Sequence, residues 1–159
     1  VSEKSAWARG QAWGLYGYTM MYRFTKDTRY LEQAVKIAEF ILNHPNMPED
    51  LVPYWDYNAL DIPNTLRDAS AAAISCAGLF ELCRYVSENS RQKYFEAAEK
   101  MLQELSSSEY MAEVGTNGGF ILKHSVGNML AGTEVDAPLT YADYYFVEAL
   151  CRYKSLTNK

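Results

Sequence analysis

Apolar residues recur every three or four positions along most of this chain, which is the period of an α-helix. Leu31, Ala34, Ile37, Ala38, Ile41 and Leu42 trace one such stripe and predict a helix over Thr28–Asn43. His44-Pro45 ends it, because the residue before a proline avoids the helical region. An earlier helix is expected to start after Ser5, a residue type suited to an N-cap, and to run to about residue 24. Residues 45–66 carry Pro45, Pro48, Pro53 and Pro63 and read as a loop. A third helix is expected over about 67–86, a fourth over about 91–105 and a fifth over about 140–155. Residues 106–139 read as mostly irregular, with a short extended pair around 119–124.

The predicted helices fall into two kinds. The first, third and fifth are apolar or small on most sides, which marks buried helices. Gly10, Gly14 and Gly17 share one face of the first. Each glycine costs a helix about 1 kcal/mol against alanine, so their presence points to close packing. Asp68, Ala71, Ala72, Ser75 and Gly78 line the third helix. The second and fourth helices have one wet face. A repeat runs through the series: Met21-Tyr22-Arg23-Phe24, Leu82-Cys83-Arg84-Tyr85 and Leu150-Cys151-Arg152-Tyr153 close the three apolar helices. Stacked hairpins follow, with an inner layer of helices wrapped by an outer one. The fold class is all-α. Too few hairpins are present to close a ring, so an arc or an incomplete barrel is expected, with residues 1–159 forming one portion of a barrel domain.

Charge and composition remove several functions. The chain has 159 residues and a formal net charge of −5. An acidic surface does not suit a phosphate backbone, so no nucleic-acid partner is expected. No apolar run of about 20 residues is present, so no membrane span is expected. Cys76, Cys83 and Cys151 all lie in apolar helical patterns and read as buried free thiols. His44 and His124 fit no zinc spacing, so no metal is expected. The chain begins at Val1 rather than Met, with no secretory leader in view. Upstream sequence is expected to be missing, and a soluble bacterial protein of the cytoplasm or periplasm fits.

Three polar clusters fall where loops meet the ends of the apolar helices. In Trp7-Ala8-Arg9-Gly10-Gln11-Ala12-Trp13, Arg9 and Trp13 are neighbours on one helix face. A guanidinium fork beside an aromatic plane can hold a carboxylated sugar. The same residues can equally be a core Arg–Asp pair and a core Trp. In Val52-Pro53-Tyr54-Trp55-Asp56, leading to Arg67-Asp68-Ala69-Ser70, Asp56 is a candidate acid or site hydrogen bonder. A loop Asp of this kind more often caps a turn or pairs with an Arg such as Arg67. Asp68, in a first turn, suits the helix dipole. The third cluster runs from Gly118 to Ser125, with Lys123 and His124, and continues at Tyr141-Ala142-Asp143-Tyr144-Tyr145. Its glycines do not follow phosphate-loop spacing. Asp56, Asp68 and Asp143 are candidates for a glycosidic carboxylate pair, which spacing alone does not assemble.

At these clusters the chain resembles glycoside hydrolase family 88, the unsaturated glucuronyl hydrolases. Trp7 to Trp13 resembles that family's WARGQAW segment, Val52 to Asp56 its VPYWD, and Arg67 to Ala71 its RDASA. Tyr141 to Leu150 resembles its YADYYFxEAL ending. The related family 105, acting on unsaturated rhamnogalacturonan fragments, typically reads WARGNGW, so Gln11 and Ala12 favour family 88. The resemblance implies a six-hairpin α/α toroid of the glycosidase type, of which this chain is the C-terminal portion. It implies removal of the 4,5-unsaturated uronic acid left at the nonreducing end of oligosaccharides by polysaccharide lyases. An Asp protonates the vinyl ether, water adds, and the resulting hemiketal opens; no cofactor is needed. That catalytic Asp is expected upstream of Val1. Arg9 and Trp13 correspond to the family's substrate contacts. Gln11, Trp55, Asp56 and His124 are further candidates. Some members hold a sulfate with a Ser- and Lys-bearing loop; the comparable stretch here, about residues 123–132, has no such pattern. Two other readings stand beside this one: a non-catalytic sugar-binding or scaffold module of helical hairpins, and a family 105-like rhamnogalacturonyl hydrolase. An incomplete barrel would also leave apolar inner helices open to self-association.

Overall fold

The computed structural model describes residues 4–158. Five α-helices follow in order: α1 (Ala8–Thr25), α2 (Thr28–Asn43), α3 (Ala69–Leu82), α4 (Glu88–Leu105) and α5 (Thr140–Thr157). The inner layer is α1, α3 and α5, with α3 in the middle. Helix α2 lies outside α1, and α4 lies outside α3 and reaches α5. Every residue of α3 is buried, because an Ala-rich helix lets neighbours close in on all sides. At Gly78 the backbone of Tyr16 in α1 lies 3.5 Å from where a Cβ would stand. The three-glycine face of α1 is not one contact, however. Gly14 meets Ile37 of α2, whereas nothing lies within 4 Å of a Cβ at Gly17.

Helix boundaries depart from expectation where caps decide them. Ser5 does not cap α1; the N-cap is Trp7, without a side-chain cap bond, and the Ser5 hydroxyl donates to Asp56 Oδ2 instead. Asp68 caps α3, accepting from the amides of Ser70 and Ala71, so that helix starts later than the apolar run suggested. Helix α4 starts earlier, at Glu88, because an acidic first turn suits the helix dipole without adding any apolar signal. The extended pair expected near 119–124 reduces to one bridge, Met111 to Leu122. Asp143 takes the amides of Ile121 and Leu122 at 2.8 and 2.9 Å, where a strand would have offered carbonyls. Cys76 and Cys83 are buried as expected, but Cys151 of α5 is exposed.

The repeated Arg positions have a common purpose in two of three cases. Arg23 at the end of α1 and Arg152 at the end of α5 both reach Glu81 of α3, at 3.4 and 2.8 Å. Arg152 also binds Glu148 and donates to the Ala77 carbonyl. Arg84, the middle copy, points outward to Ser155. No helix among the described residues is long and apolar enough to cross a membrane.

Candidate sugar-binding site

The opposite end of the inner layer gathers the sequence clusters. The amide of Ala8 donates to the Trp55 carbonyl at 3.0 Å, and Tyr57 donates back to Ala6 at 3.0 Å, pinning the start of α1 to the proline-rich loop. The Asp68 amide donates to Pro53, and the Ala69 amide to His124. The loop before α3, the cap of α3, the start of α1 and the segment after His124 therefore meet at one point.

A hollow of about 440 Å³ opens there, lined by Ser5, Trp7, Trp55 and residues 126–130. Trp55 also borders a second hollow with Asp56 and Asp61, and its indole N–H donates to Thr65 at 3.2 Å. Two indole rings beside backbone edges can stack on the apolar face of a sugar and hydrogen-bond its hydroxyls. Trp7 was not among the residues singled out from the sequence. A signal for it exists: Gly10 follows three positions later, and a Cβ there would stand 2.9 Å from the Trp7 ring. Only a glycine leaves the indole its seat.

Arg9 and Trp13, expected as neighbouring sugar contacts on one helix face, do not open into one hollow. Arg9 is 5% exposed. Its guanidinium lies between the rings of Trp7 and Tyr141, 4.8 and 5.1 Å from their centroids. It donates to the carbonyls of Val126 and Gly127 and stands 3.6 Å from Asp68. Trp13 packs its ring against Tyr145 at 5.1 Å and Tyr141 at 6.4 Å. It borders a separate shallow depression with Gly17 and Tyr18. Gln11 is half-buried on α1, outside the hollow's lining. His124 faces a different hollow, with its Nδ1 2.7 Å from Asp136.

All three candidate carboxylates are engaged by backbone amides, Asp56 and Asp68 buried and Asp143 half-buried. Asp56, 2% exposed, accepts from Ser5 and from the amides of Ala6 and Asn58. It does not pair with Arg67, which binds Asp50 and the Val52 carbonyl. Asp143 holds the two amides already described. Asp68 is sealed, and burial pushes its carboxyl above the usual range; Ser70 and Arg9 oppose that shift. Burial likewise raises the Tyr141 phenol, with Arg9 opposing, and lowers His44 against the pull of Asp56. Among the described residues no group of His, Cys, Asp and Glu forms a metal site.

No family model matches the chain. Individual relatives do. An unsaturated glucuronyl hydrolase from Formosa agariphila is 48% identical over 98% of this chain. One from Bacillus sp. is 35% identical over 95% of it. A crystal structure of an unsaturated glucuronyl hydrolase specific for heparin superposes with a TM-score of 0.96 at 52% identity, covering all of this chain.

Sequence and backbone relate this chain to the unsaturated glucuronyl hydrolases. It spans only about two-fifths of their length: 38% and 40% of the two curated relatives, and 42% of the solved chain. The arc of hairpins is thus part of an α/α toroid, as its patterning and the resemblance had implied. Neither a helical scaffold module nor a rhamnogalacturonyl hydrolase is favoured by these relatives. Unsaturated glucuronyl hydrolases from Streptococcus agalactiae superpose as well, with TM-scores of 0.88 at 36% identity, one as a mutant complexed with dGlcA-GalNAc6S.

Proposed function

We propose that the full-length protein bearing this chain is a glycoside hydrolase. It releases 4,5-unsaturated uronic acid from the nonreducing end of lyase-generated oligosaccharides by hydrating the vinyl ether. The observation that carries the reading is the 48% identity to an unsaturated glucuronyl hydrolase across almost the whole chain. The hollow between Trp7 and Trp55 supports it, because its size and lining suit a saccharide. In this reading Trp55 and Trp7 are the stacking platform and Asp56 braces the loop behind them. Trp13 serves on the face of α1 turned to Tyr145 of α5, which the remaining length of the relatives would enclose; Gln11, two positions earlier and on another face of α1, is left out of the platform. His124 looks into its own hollow and is left out of the platform. The catalytic Asp is assigned to the part of the relatives that this chain does not span. The backbone amides that already occupy Asp56, Asp68 and Asp143 support that assignment.

The relatives' names point to glycosaminoglycan fragments. Heparin-derived disaccharides are proposed ahead of chondroitin-derived ones, since the heparin-specific structure is 52% identical and a streptococcal chondroitin disaccharide hydrolase 36%. The test is loss of the ultraviolet absorbance of the conjugated double bond. Full-length protein should turn over unsaturated disaccharides, and the isolated chain should not. A full-length protein inert on every unsaturated disaccharide tried would reject the reading. The isolated chain should also self-associate in light scattering, because Phe24 on α1 and Tyr144, Val147 and Leu150 on α5 lie open. A monodisperse monomer would count against the incomplete-barrel view.

A further inference from the structure

Trp55 belongs to two hollows. Besides the one it shares with Trp7, it borders a second, of about 250 Å³, formed by the 56–65 loop. Ser5 also borders both, so the two are neighbours on one surface.

The loop around the second hollow is braced along its length. At its base the Trp55 amide donates to the Leu66 carbonyl at 3.0 Å, and at its turn the Asn64 amide donates to the Asp61 carbonyl at 2.6 Å. Buried Asp56 takes the Asn58 amide at 2.8 Å and the Ser5 hydroxyl. The Asn58 side chain donates to the Lys4 carbonyl at 2.7 Å. Thr65 accepts from the Trp55 indole at 3.2 Å, which fixes the ring that both hollows share. A wall held at so many points needs little ordering when a ligand arrives.

The linings differ in charge. No ionisable residue lines the first hollow. The second carries two carboxylates, Asp56 and Asp61, and neither Lys nor Arg. Asp61 stands exposed on its rim and pairs with no cation among the described residues. Two like charges about 4 Å apart in water repel enough to weaken binding about fivefold. Sugar hydroxyls, by contrast, can donate to a carboxylate.

We propose that the second hollow is a subsite for the third sugar ring of a longer substrate, and that Asp61 makes it accept a neutral ring and turn away a uronate. This rests on reading the first hollow as a sugar site. The uncharged first hollow suits the neutral second ring, with the unsaturated acid ring lying toward the part of the relatives assigned the catalytic Asp. Removal of the nonreducing terminal ring leaves the rest of the oligosaccharide trailing toward solvent, where Asn58, Leu60 and Asp61 are exposed.

The test measures kcat/KM of the full-length protein on three unsulfated heparin-backbone probes. They are the unsaturated disaccharide, the unsaturated tetrasaccharide, whose third ring is a uronate, and that tetrasaccharide methyl-esterified at the third ring. Asp61→Asn should raise the ratio of uronate tetrasaccharide to disaccharide about fivefold at low salt, and added salt should shrink the gain. In the unmodified protein the ester should exceed the uronate tetrasaccharide by a similar factor, and it should respond to Asp61→Asn by less than about twofold. Ala59→Trp, which fills the second hollow, should lower the ratio of ester to disaccharide about fivefold or more. The ester comparison needs no variant and decides the matter if Ala59→Trp does not fold. Ratios unmoved by ester and variants alike, with the disaccharide still turned over, would overturn the inference, because the third ring then passes clear of the loop. A change shared equally by disaccharide and tetrasaccharides would overturn it too, leaving the loop as a brace for the first hollow. An unmodified protein inert on the disaccharide would reject the functional reading itself, and the subsite with it.

Discussion

The two ends of the inner helical layer are built from the same materials and do different work. At the end where α1, α3 and α5 finish, Arg23, Arg152, Glu148 and Tyr16 close on Glu81 and on each other. Charge meets charge, and the three helices are clamped together. At the end where they start, Arg9 and Asp68 face each other at 3.6 Å, yet most of their hydrogen bonds go to backbone. Asp68 caps α3 and takes the Val126 amide; Arg9 holds two carbonyls of a loop. One ion pair locks helices, while the other shapes a loop around a hollow. A buried Arg–carboxylate pair is therefore not a functional signal by itself; what its remaining donors and acceptors hold decides its role.

Several measurements press on that contrast. The largest effect is expected at the locked end. Glu81→Ala leaves two arginines without their shared partner and should cost about 3–5 kcal/mol of stability, read from the urea midpoint. The folded fraction should keep its substrate selectivity. A loss below about 1 kcal/mol would mean that the clamp is ornamental. At the shaped end, Trp55→Ala should lower kcat/KM by at least about tenfold, or 1.4 kcal/mol, with little change in unfolding. An unchanged kcat/KM would remove Trp55 from the platform. Tyr16→Phe deletes a hydroxyl that donates to Glu148 at 3.1 Å and accepts from Arg152 at 3.4 Å. It should cost about 1 kcal/mol and leave kinetics alone; altered kinetics would show that the two ends communicate.

The smallest effect is one of pH. Burial raises the Asp68 carboxyl in the folded chain above its unfolded value. Folding therefore retains a proton that the unfolded chain has released, and stability falls as pH climbs from the ordinary carboxylate range to the raised value, then levels. Asp68→Asn keeps the capping oxygen and should erase that slope in urea titrations at successive pH values. A slope of the opposite sign in the unmodified protein would mean that Arg9 outweighs burial.

Much of the helical frame was legible along the chain. The Leu31-to-Leu42 stripe placed α2 at its observed bounds, and the inner and outer classes of helix followed from which positions are small. The repeat at Arg23, Arg84 and Arg152 was legible as well. Its meaning was not, because Glu81, the partner of two of the three, belongs to neither of their helices. Among candidate site residues, Trp55 and Asp56 were placed in the loop over 45–66, which the structure pins to the start of α1. Arg9 was found as a focal residue, but its fork was assigned to a ligand rather than to Val126 and Gly127. Trp7 was passed over because it sits beside Arg9 in sequence and only Gly10 hints at where its ring lies.

The motif resemblance carried the kinship with a helical toroid; what the residue order determined by itself is the set of helices and their amphipathic classes. Those properties depend on contacts within a few positions, where spacing and capping chemistry act directly. Which wall faces the hollow, which arginine is enclosed and which tryptophan stays open were decided only when distant segments met. An Arg fork satisfied by carbonyls more than a hundred residues away has no signature in its neighbours; only the packed chain shows where its donors end.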